Sequence, residues 1–108
     1  MASTQEYVDY VMEQIKGLQE VAYRKMMGEY ILYYQGKIFG GIYDNRFLIK
    51  ITEASKKILI NGKQELPYPG AKMMFLIEEI EDKELLENLI PKVCEELELP
   101  KNRKRRNI

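Results

Sequence analysis

Histidine is absent from this sequence of 108 residues, and cysteine occurs once, as Cys94. The missing histidine excludes Ser-His-Asp and Cys-His nucleophilic arrangements, His-ligated zinc or iron, and the side chain best suited to proton transfer near neutral pH. A single cysteine provides neither a thiolate cluster for zinc nor an internal disulfide. We therefore expect a protein that is not an enzyme, with no catalytic residue, no metal and no cofactor.

The sequence also lacks the features of membrane, exported and phosphate-binding proteins. No apolar run approaches the roughly 20 residues that span a bilayer. The N-terminus is acidic and amphipathic, without the basic and apolar regions of a signal peptide. No glycine-rich loop joins a strand to a helix, as a phosphate-binding loop would. The run GKIFGG contains three glycines but lies within a predicted hairpin. We expect a cytoplasmic protein that makes no membrane contact.

Charge is distributed unevenly along the chain. Lys and Arg together number 17, as do Asp and Glu, but the last eight residues hold five cations and no acid. Residues 1–100 therefore carry a net charge of −5, from twelve basic and 17 acidic side chains. Hydrophobic residues make up 45% and charged residues 31%, which is typical of a soluble globular domain. We predict one domain, residues 1–100, and a basic, disordered tail, residues 101–108.

Two short signals predict helices in the first half of the chain. Ser3 to Glu6, STQE, has the spacing of a capping box, and apolar residues then recur at helical spacing. We place a helix at about Thr4 to Leu18. Thr52 is a suitable cap for a second, short helix with the sequence EASKKIL.

Between the long helices, branched and aromatic residues form segments separated by turn signals. The turns QGK and DNR leave only two or three loop residues, which makes residues 30–51 an antiparallel meander of three strands. VAYRKM, residues 21–26, adds an edge strand, and MMFLIEE, residues 73–79, is apolar enough for a central strand. The segment 60–72 is predicted as a loop. The predicted fold class is α+β, an antiparallel sheet of about five strands with the N- and C-terminal helices on one face.

Two features of the predicted meander point to contacts beyond the sheet. Both faces of the segment Tyr30 to Tyr34 are apolar, which indicates helices on one face and a partner chain on the other. Gly40 and Gly41 interrupt a strand, where glycine is costly. A bulge or a close approach by another element explains them, and a bend in the twisted sheet is favoured over contact with a ligand.

The last helix raises questions of chemistry. Asp82 opens it, an apolar stripe follows, and Pro91 inside that stripe predicts a kink or a break. Cys94 lies on the stripe and is interpreted as a small buried hydrophobe rather than a reactive thiol. Acids at the helix start could act as general acid and base, but we favour the interpretation that they stabilise its free amides. These acids are Glu78, Glu79, Glu81, Asp82 and Glu84.

The block YRKMMGEYILYYQGKIFGGIYDNRFLIKITE, followed by PYPGAKMMFLIEE and a leucine-rich helix, is typical of one protein family. Over roughly residues 6–98 the sequence resembles the TfoX N-terminal domain family. The residues that carry the resemblance are Met27, Gly28, Tyr30, Leu32, Tyr33, Gly36, Phe39, Leu48, Lys50 and Tyr68.

The resemblance implies a small bacterial α+β domain from a family named after a regulator of natural competence. It implies a secretion-chaperone-like fold, a curved antiparallel sheet with helices on one side, and such sheets often pair into dimers. Family members that regulate competence carry a second, helical domain. This sequence has a basic tail in that place, so we expect a stand-alone domain. The resemblance implies no catalytic residue.

Three functions are weighed on this basis. We favour a regulatory or adaptor domain involved in transcriptional regulation through protein contacts, as a possible homodimer, with Tyr33, Phe39 and Tyr43 as aromatic anchors on the outer face of the meander. If helices cover that face, these three are core residues instead. The alternative is nonspecific binding of nucleic acid such as DNA by the tail. The third is an enzyme or a ligand-binding protein with a pocket between sheet and helices. The tail residues concerned are Lys101, Arg103, Lys104, Arg105 and Arg106.

Overall fold

A computed structural model of the chain describes residues 2–99. They form an open antiparallel sheet of six strands with helices on one face, so the predicted α+β class is confirmed with one strand more than expected. In chain order the elements are α1 (Gln5–Ile15), β1 (Val21–Met26), β2 (Glu29–Tyr34), β3 (Lys37–Ile42), β4 (Phe47–Ile49), α2 (Glu53–Ile58), β5 (Lys63–Glu65), β6 (Met74–Leu76) and α3 (Lys83–Glu95).

The first four strands are joined by two-residue turns. The turn residues are Met27–Gly28, Gln35–Gly36 and Asp44–Asn45, and all six have φ between 51° and 85°. This left-handed conformation gives the turn a twist that matches the right-handed twist of the flanking strands. Each strand therefore pairs with the next one in the chain, as predicted, and β1 lies at the edge of the sheet.

The sixth strand, β5, lies in the segment that we predicted to be a loop. Its sequence, KQE, has no apolar alternation from which a strand could be predicted. It becomes a strand because Lys63 pairs with Leu76 and Glu65 with Met74. β6 also pairs with β4, which gives the order β1-β2-β3-β4-β6-β5 and places β6 inside the sheet.

The N-terminal cap of α1 differs from the prediction. Thr4 is the capping residue, because its hydroxyl oxygen accepts a hydrogen bond of 3.1 Å from the amide of Tyr7. The hydroxyl of Ser3 instead donates to the Glu29 carboxylate at 2.6 Å and accepts from the Asn45 amide at 2.9 Å. The prediction of a capping box that begins at Ser3 was therefore wrong. Ser3 instead connects the start of the chain to the β3–β4 turn.

The other helix ends are close to the predicted positions. α1 ends at Ile15, three residues before the predicted Leu18. Thr52 caps α2 as expected, and its hydroxyl accepts a hydrogen bond from the Ser55 amide at 3.1 Å. Asp82 caps α3, where its carboxylate accepts from the third residue of the helix.

Pro91 does not break α3. The helix continues through it from Lys83 to Glu95, although proline supplies no amide to the carbonyl oxygen four residues earlier. Buried residues on both sides of the proline, Leu89 and Val93 among them, belong to one core. Of the predicted kink or break, the break is therefore excluded, and the prediction that both halves of the apolar stripe pack on the same sheet is confirmed.

The sheet has two distinct faces. The inner face, under α1 and α3, holds the hydrophobic core, and the opposite face is called the outer face here. Alternation along the strands assigns the side chains to each, since successive residues point to opposite sides. The core residues of the sheet are Tyr30, Leu32, Phe39, Ile42, Phe47, Ile49 and Ile77, all no more than 2% exposed.

A bulge between β2 and β3 turns Phe39 to the inner face. Leu32 pairs with Gly40, whereas Tyr33 pairs with Ile38, so Phe39 is an extra residue on β3. Phe39 is 0% exposed and part of the core. Its predicted position on the outer face was therefore wrong, because simple alternation does not allow for an inserted residue.

Candidate interaction surface on the outer face

Apolar side chains continue across the outer face of the sheet. The pairing places Ile31, Tyr33, Ile38 and Leu48 there. Leu48 is 0% exposed even though it points away from the helices, whereas Ile31, Tyr33 and Ile38 are half-buried. Part of the outer face is therefore covered, and the chain between β5 and β6 lies over this face.

This covering chain, residues 66–73, is called the β5–β6 segment here. Arg46, in the β3–β4 hairpin, holds its beginning with hydrogen bonds from the guanidinium to the last residue of β5 and to the first two residues of the segment. One Nη atom donates to Glu65 Oε1 at 2.9 Å and to the Leu66 carbonyl oxygen at 3.0 Å, and the other donates to the Pro67 carbonyl oxygen at 3.1 Å. Arg46 Nε donates to the Tyr43 carbonyl oxygen at 3.1 Å. One side chain thus joins the segment to the hairpin.

An aromatic pair adds a second contact between the segment and the sheet. The rings of Tyr43 and Tyr68 lie 5.8 Å apart, tilted by 54°. The Tyr43 ring occupies the space above Gly41, where a Cβ would come within 2.5 Å of Tyr43 Cε2 and 2.8 Å of the Tyr30 carbonyl oxygen. At Gly40 a Cβ would collide with the Leu48 carbonyl oxygen. A close approach of neighbouring groups, one of the two explanations given for these glycines, is therefore confirmed, whereas the extra residue of the bulge is Phe39.

A groove of about 610 Å³ lies between the β5–β6 segment and the outer face. It is called the outer groove here, and it is open to solvent along one side. Most of the residues that line it are apolar, aromatic or glycine, and lysine is the only charged type among them. The lining residues are Ile38, Gly40, Tyr43, Lys50, Ile51, Pro67, Tyr68, Gly70, Ala71, Lys72, Met73 and Met74.

The two lysines give the outer groove a positive charge. Burial lowers the pKa of the Lys50 amine, Cys94 opposes that effect and the nearby Lys72 adds to it. Among residues 2–99 neither lysine forms an ion pair or a side-chain hydrogen bond. The positive charge is therefore not neutralised by an acid of the groove itself.

The groove has an aromatic end and a cationic end. Tyr43 closes the β3–β4 turn, where it pairs with Arg46. Lys50 follows the far end of β4, and its amide donates to the Phe39 carbonyl oxygen at 2.9 Å. Phe39 lies in β3 and Tyr43 directly follows its end, four residues further along the chain, a distance of about 13 Å in an extended strand.

The structure separates the residues that were predicted to form a protein interface. Tyr33 is half-buried on the outer face beside Ile38, and Tyr43 lines the groove, whereas Phe39 is in the core. The predicted nucleic-acid contacts, Lys101 and residues 103–106, lie outside the described residues.

Two of the residues considered for chemistry, Cys94 and Asp82, have structural roles. Cys94 is 3% exposed, and burial raises the pKa of its thiol to about 11, which keeps it protonated and unreactive. Asp82 caps α3, as the favoured interpretation of the acid cluster required. Within residues 2–99 no group of three or more acids and cysteines is arranged to hold a metal ion.

Sequence reasoning missed most of the outer groove. Tyr68, Lys72 and Met73 lie in the segment predicted as a loop or at the start of a strand, and Lys50 lies in the predicted meander, where it was given no role. Tyr68 and Lys50 did belong to the set that carries the family resemblance, which was a usable signal.

A family model for the TfoX N-terminal domain matches residues 13–96 of the chain. The chain belongs to the TfoX N-terminal domain family. Over 105 residues this TfoX N-terminal domain is 33% identical to a protein of Spirochaeta aurantia described as an uncharacterized 12.7 kDa protein in the trpE 5′ region. That alignment covers 96% of this chain and 91% of the relative. No solved structure matches the chain. None of the helices in residues 2–99 has the length and apolarity to cross a bilayer.

Proposed function

We propose that this TfoX N-terminal domain is a non-enzymatic regulatory or adaptor domain that acts through protein contacts on its outer face. The observation that carries the proposal is the outer groove, where Tyr68 is 56% and Met73 43% exposed. Partly exposed apolar surface rimmed by polar residues is typical of protein interaction sites. The absence of histidine from the sequence supports a non-enzymatic role.

The organisation of the groove supports the same proposal. An unstructured loop would lose conformational entropy on binding, which weakens association. Here Arg46 and the Tyr43–Tyr68 pair hold the β5–β6 segment in place before any partner arrives. Tyrosine and methionine are also common in interfaces, because Tyr combines an apolar ring with a polar tip and Met adapts its shape. A transcriptional role, in keeping with the family name, is part of the proposal.

Site-specific photo-crosslinking tests this proposal. A benzophenone amino acid replaces Tyr68 in the full chain in its native cells, and the matched control places it at Tyr10, which is 38% exposed on α1. We expect ultraviolet light to yield a discrete protein adduct from position 68 and none from position 10. Equal labelling at both positions, or no adduct at position 68, contradicts the proposal. An adduct between two copies identifies the partner as a second copy of this chain.

Nonspecific nucleic-acid binding is a second candidate, favoured by the five cations among the last eight residues. Its test is fluorescence anisotropy with a random-sequence duplex, comparing the full chain with a chain that ends at Pro100. Binding by the full chain alone, with a steep loss of affinity as salt increases, supports this candidate. Equal binding by both chains contradicts it.

A further inference from the structure

We infer that the outer groove binds a short, extended peptide of a partner protein that carries an apolar side chain and, about four residues away, a carboxylate. This inference rests on the proposed function and specifies the chemistry of the partner. It follows from the charge of the groove, from the separation of its two ends and from the adaptable side chains that line it.

Charge complementarity points to an acidic partner. Residues 1–100 sum to −5, yet the groove contains Lys50 and Lys72 and no acid. An uncompensated lysine that is half-buried costs free energy, because desolvation and the neighbouring lysine both disfavour its charge. A carboxylate placed between the two amines would remove this cost. The net negative charge of the domain disfavours the polyanionic backbone of a nucleic acid at the same place.

The separation of the two ends determines the spacing of the peptide residues. The distance of about 13 Å along β3 corresponds to roughly four residues of extended chain. An apolar residue packed against Tyr43 and Tyr68 therefore places an acid four residues away beside Lys50 and Lys72. The order along the peptide, apolar residue first or acid first, depends on the direction in which it lies.

The apolar end is suited to several side chains of similar size. Met73 and Met74 line the groove together with the tyrosine pair, and thioether side chains repack easily around different apolar groups. Gly70 has φ +87°, and a Cβ at this position would meet nothing within 4 Å, so the tip of the β5–β6 segment is open to solvent. We therefore expect selection for the acid to be stricter than selection for one particular apolar residue.

Selection from a displayed library of random short peptides tests the inference. The full chain is the bait, and the Lys50→Gln, Lys72→Gln double variant is the counter-bait. We expect enriched peptides to share an apolar residue and an Asp or Glu at the predicted spacing, and to be lost from the double variant. Enriched peptides without an acid, equal enrichment on both baits, or no enrichment at all overturn the inference.

Affinities of one enriched peptide then assign the contact to the lysines. In fluorescence anisotropy we expect Lys50→Gln to weaken binding at least about tenfold, the effect of losing one hydrogen bond to a charged group. The control Lys57→Gln, an exposed lysine of α2, should leave affinity unchanged. Changing the peptide acid to its amide should weaken binding to the wild type but not to the double variant. A lysine-independent effect of the acid overturns the inference.

Two further arms separate this inference from other occupants and from the proposed function. The peptide inference is overturned if a single-stranded oligonucleotide competes with the peptide in a lysine-dependent way. It is also overturned if the chain self-associates and the double variant abolishes this self-association. If peptide selection fails but crosslinking from position 68 yields a partner, the inferred chemistry of the partner is wrong and the proposed function stands. Tyr68→Ala, at an exposed position of the groove, should also weaken binding of the peptide. Its thermal unfolding, compared with that of the wild type, shows whether the binding is lost in a folded protein.

Discussion

Replacing Arg46 with alanine should detach the β5–β6 segment from the sheet. The variant loses the hydrogen bonds to Glu65, Leu66, Pro67 and Tyr43, at 2.9 to 3.1 Å. A hydrogen bond to a charged group contributes about 1.5–3 kcal/mol when buried. The side chains of Arg46 and Glu65 are 26% and 28% exposed, so water compensates for part of the loss. We expect a decrease of about 2–3 kcal/mol in the free energy of unfolding, well below the sum of the separate bonds.

Urea denaturation measures this decrease, and hydrogen exchange shows where it acts. We expect faster exchange of the amides in the β5–β6 segment, while those of β2 and β3 keep their protection. Arg46→Lys should recover only part of the stability, since an ammonium group cannot reach several oxygens in the planar geometry of a guanidinium. The matched control is Arg24→Ala, an exposed residue of β1 whose loss should change stability by less than about 0.5 kcal/mol. The reasoning is refuted if Arg46→Ala behaves like this control or if its effect on exchange spreads over the whole sheet.

Three further predictions concern the faces of the sheet and two titratable groups. Phe39→Ala should cost about 3–5 kcal/mol in urea unfolding and Tyr33→Ala far less, because only Phe39 is in the core; equal costs contradict the assignment of faces. Lys50→Met should raise the midpoint of thermal unfolding at neutral pH, since burial lowers the pKa of Lys50 in the folded state. This gain should shrink as pH rises towards 10.5, where the amine of the unfolded chain also loses its proton. An unchanged or lower midpoint at neutral pH refutes this prediction. Cys94, whose pKa is raised to about 11, should react with Ellman's reagent much more slowly in the folded protein than in urea, and equal rates would show an accessible thiol.

Local sequence signals predicted the elements whose partners are close in the chain. The strands β1 to β4 follow from two-residue turns and branched side chains, and Thr52 and Asp82 were found as helix caps because capping depends on only a few neighbouring residues. β5 could not be found in this way, since its polar residues form a strand only against β6. Phe39 was misplaced for a related reason, because one inserted residue in β3 reverses the alternation.

The candidate site was harder to predict than the fold. Tyr43 was identified from its aromatic ring in a strand, but its partner Tyr68 comes from a distant part of the chain. Lys50 and Lys72 are brought together only after β6 has paired with β4. No periodicity or short motif encodes that meeting, so the charge of the groove could be recognised only from the folded chain.

The strand order has a consequence for the time at which the groove forms during folding. Strands β1 to β4 pair with sequence neighbours, whereas β6 reaches β4 only after the intervening chain, with α2 and β5, has been brought round. Contacts between near neighbours close early, and pairings across a long loop close late. One wall of the groove therefore belongs to the early meander and the other to the late β5–β6 segment. A partner that needs both walls would bind only chains in which the β5–β6 segment has joined the meander.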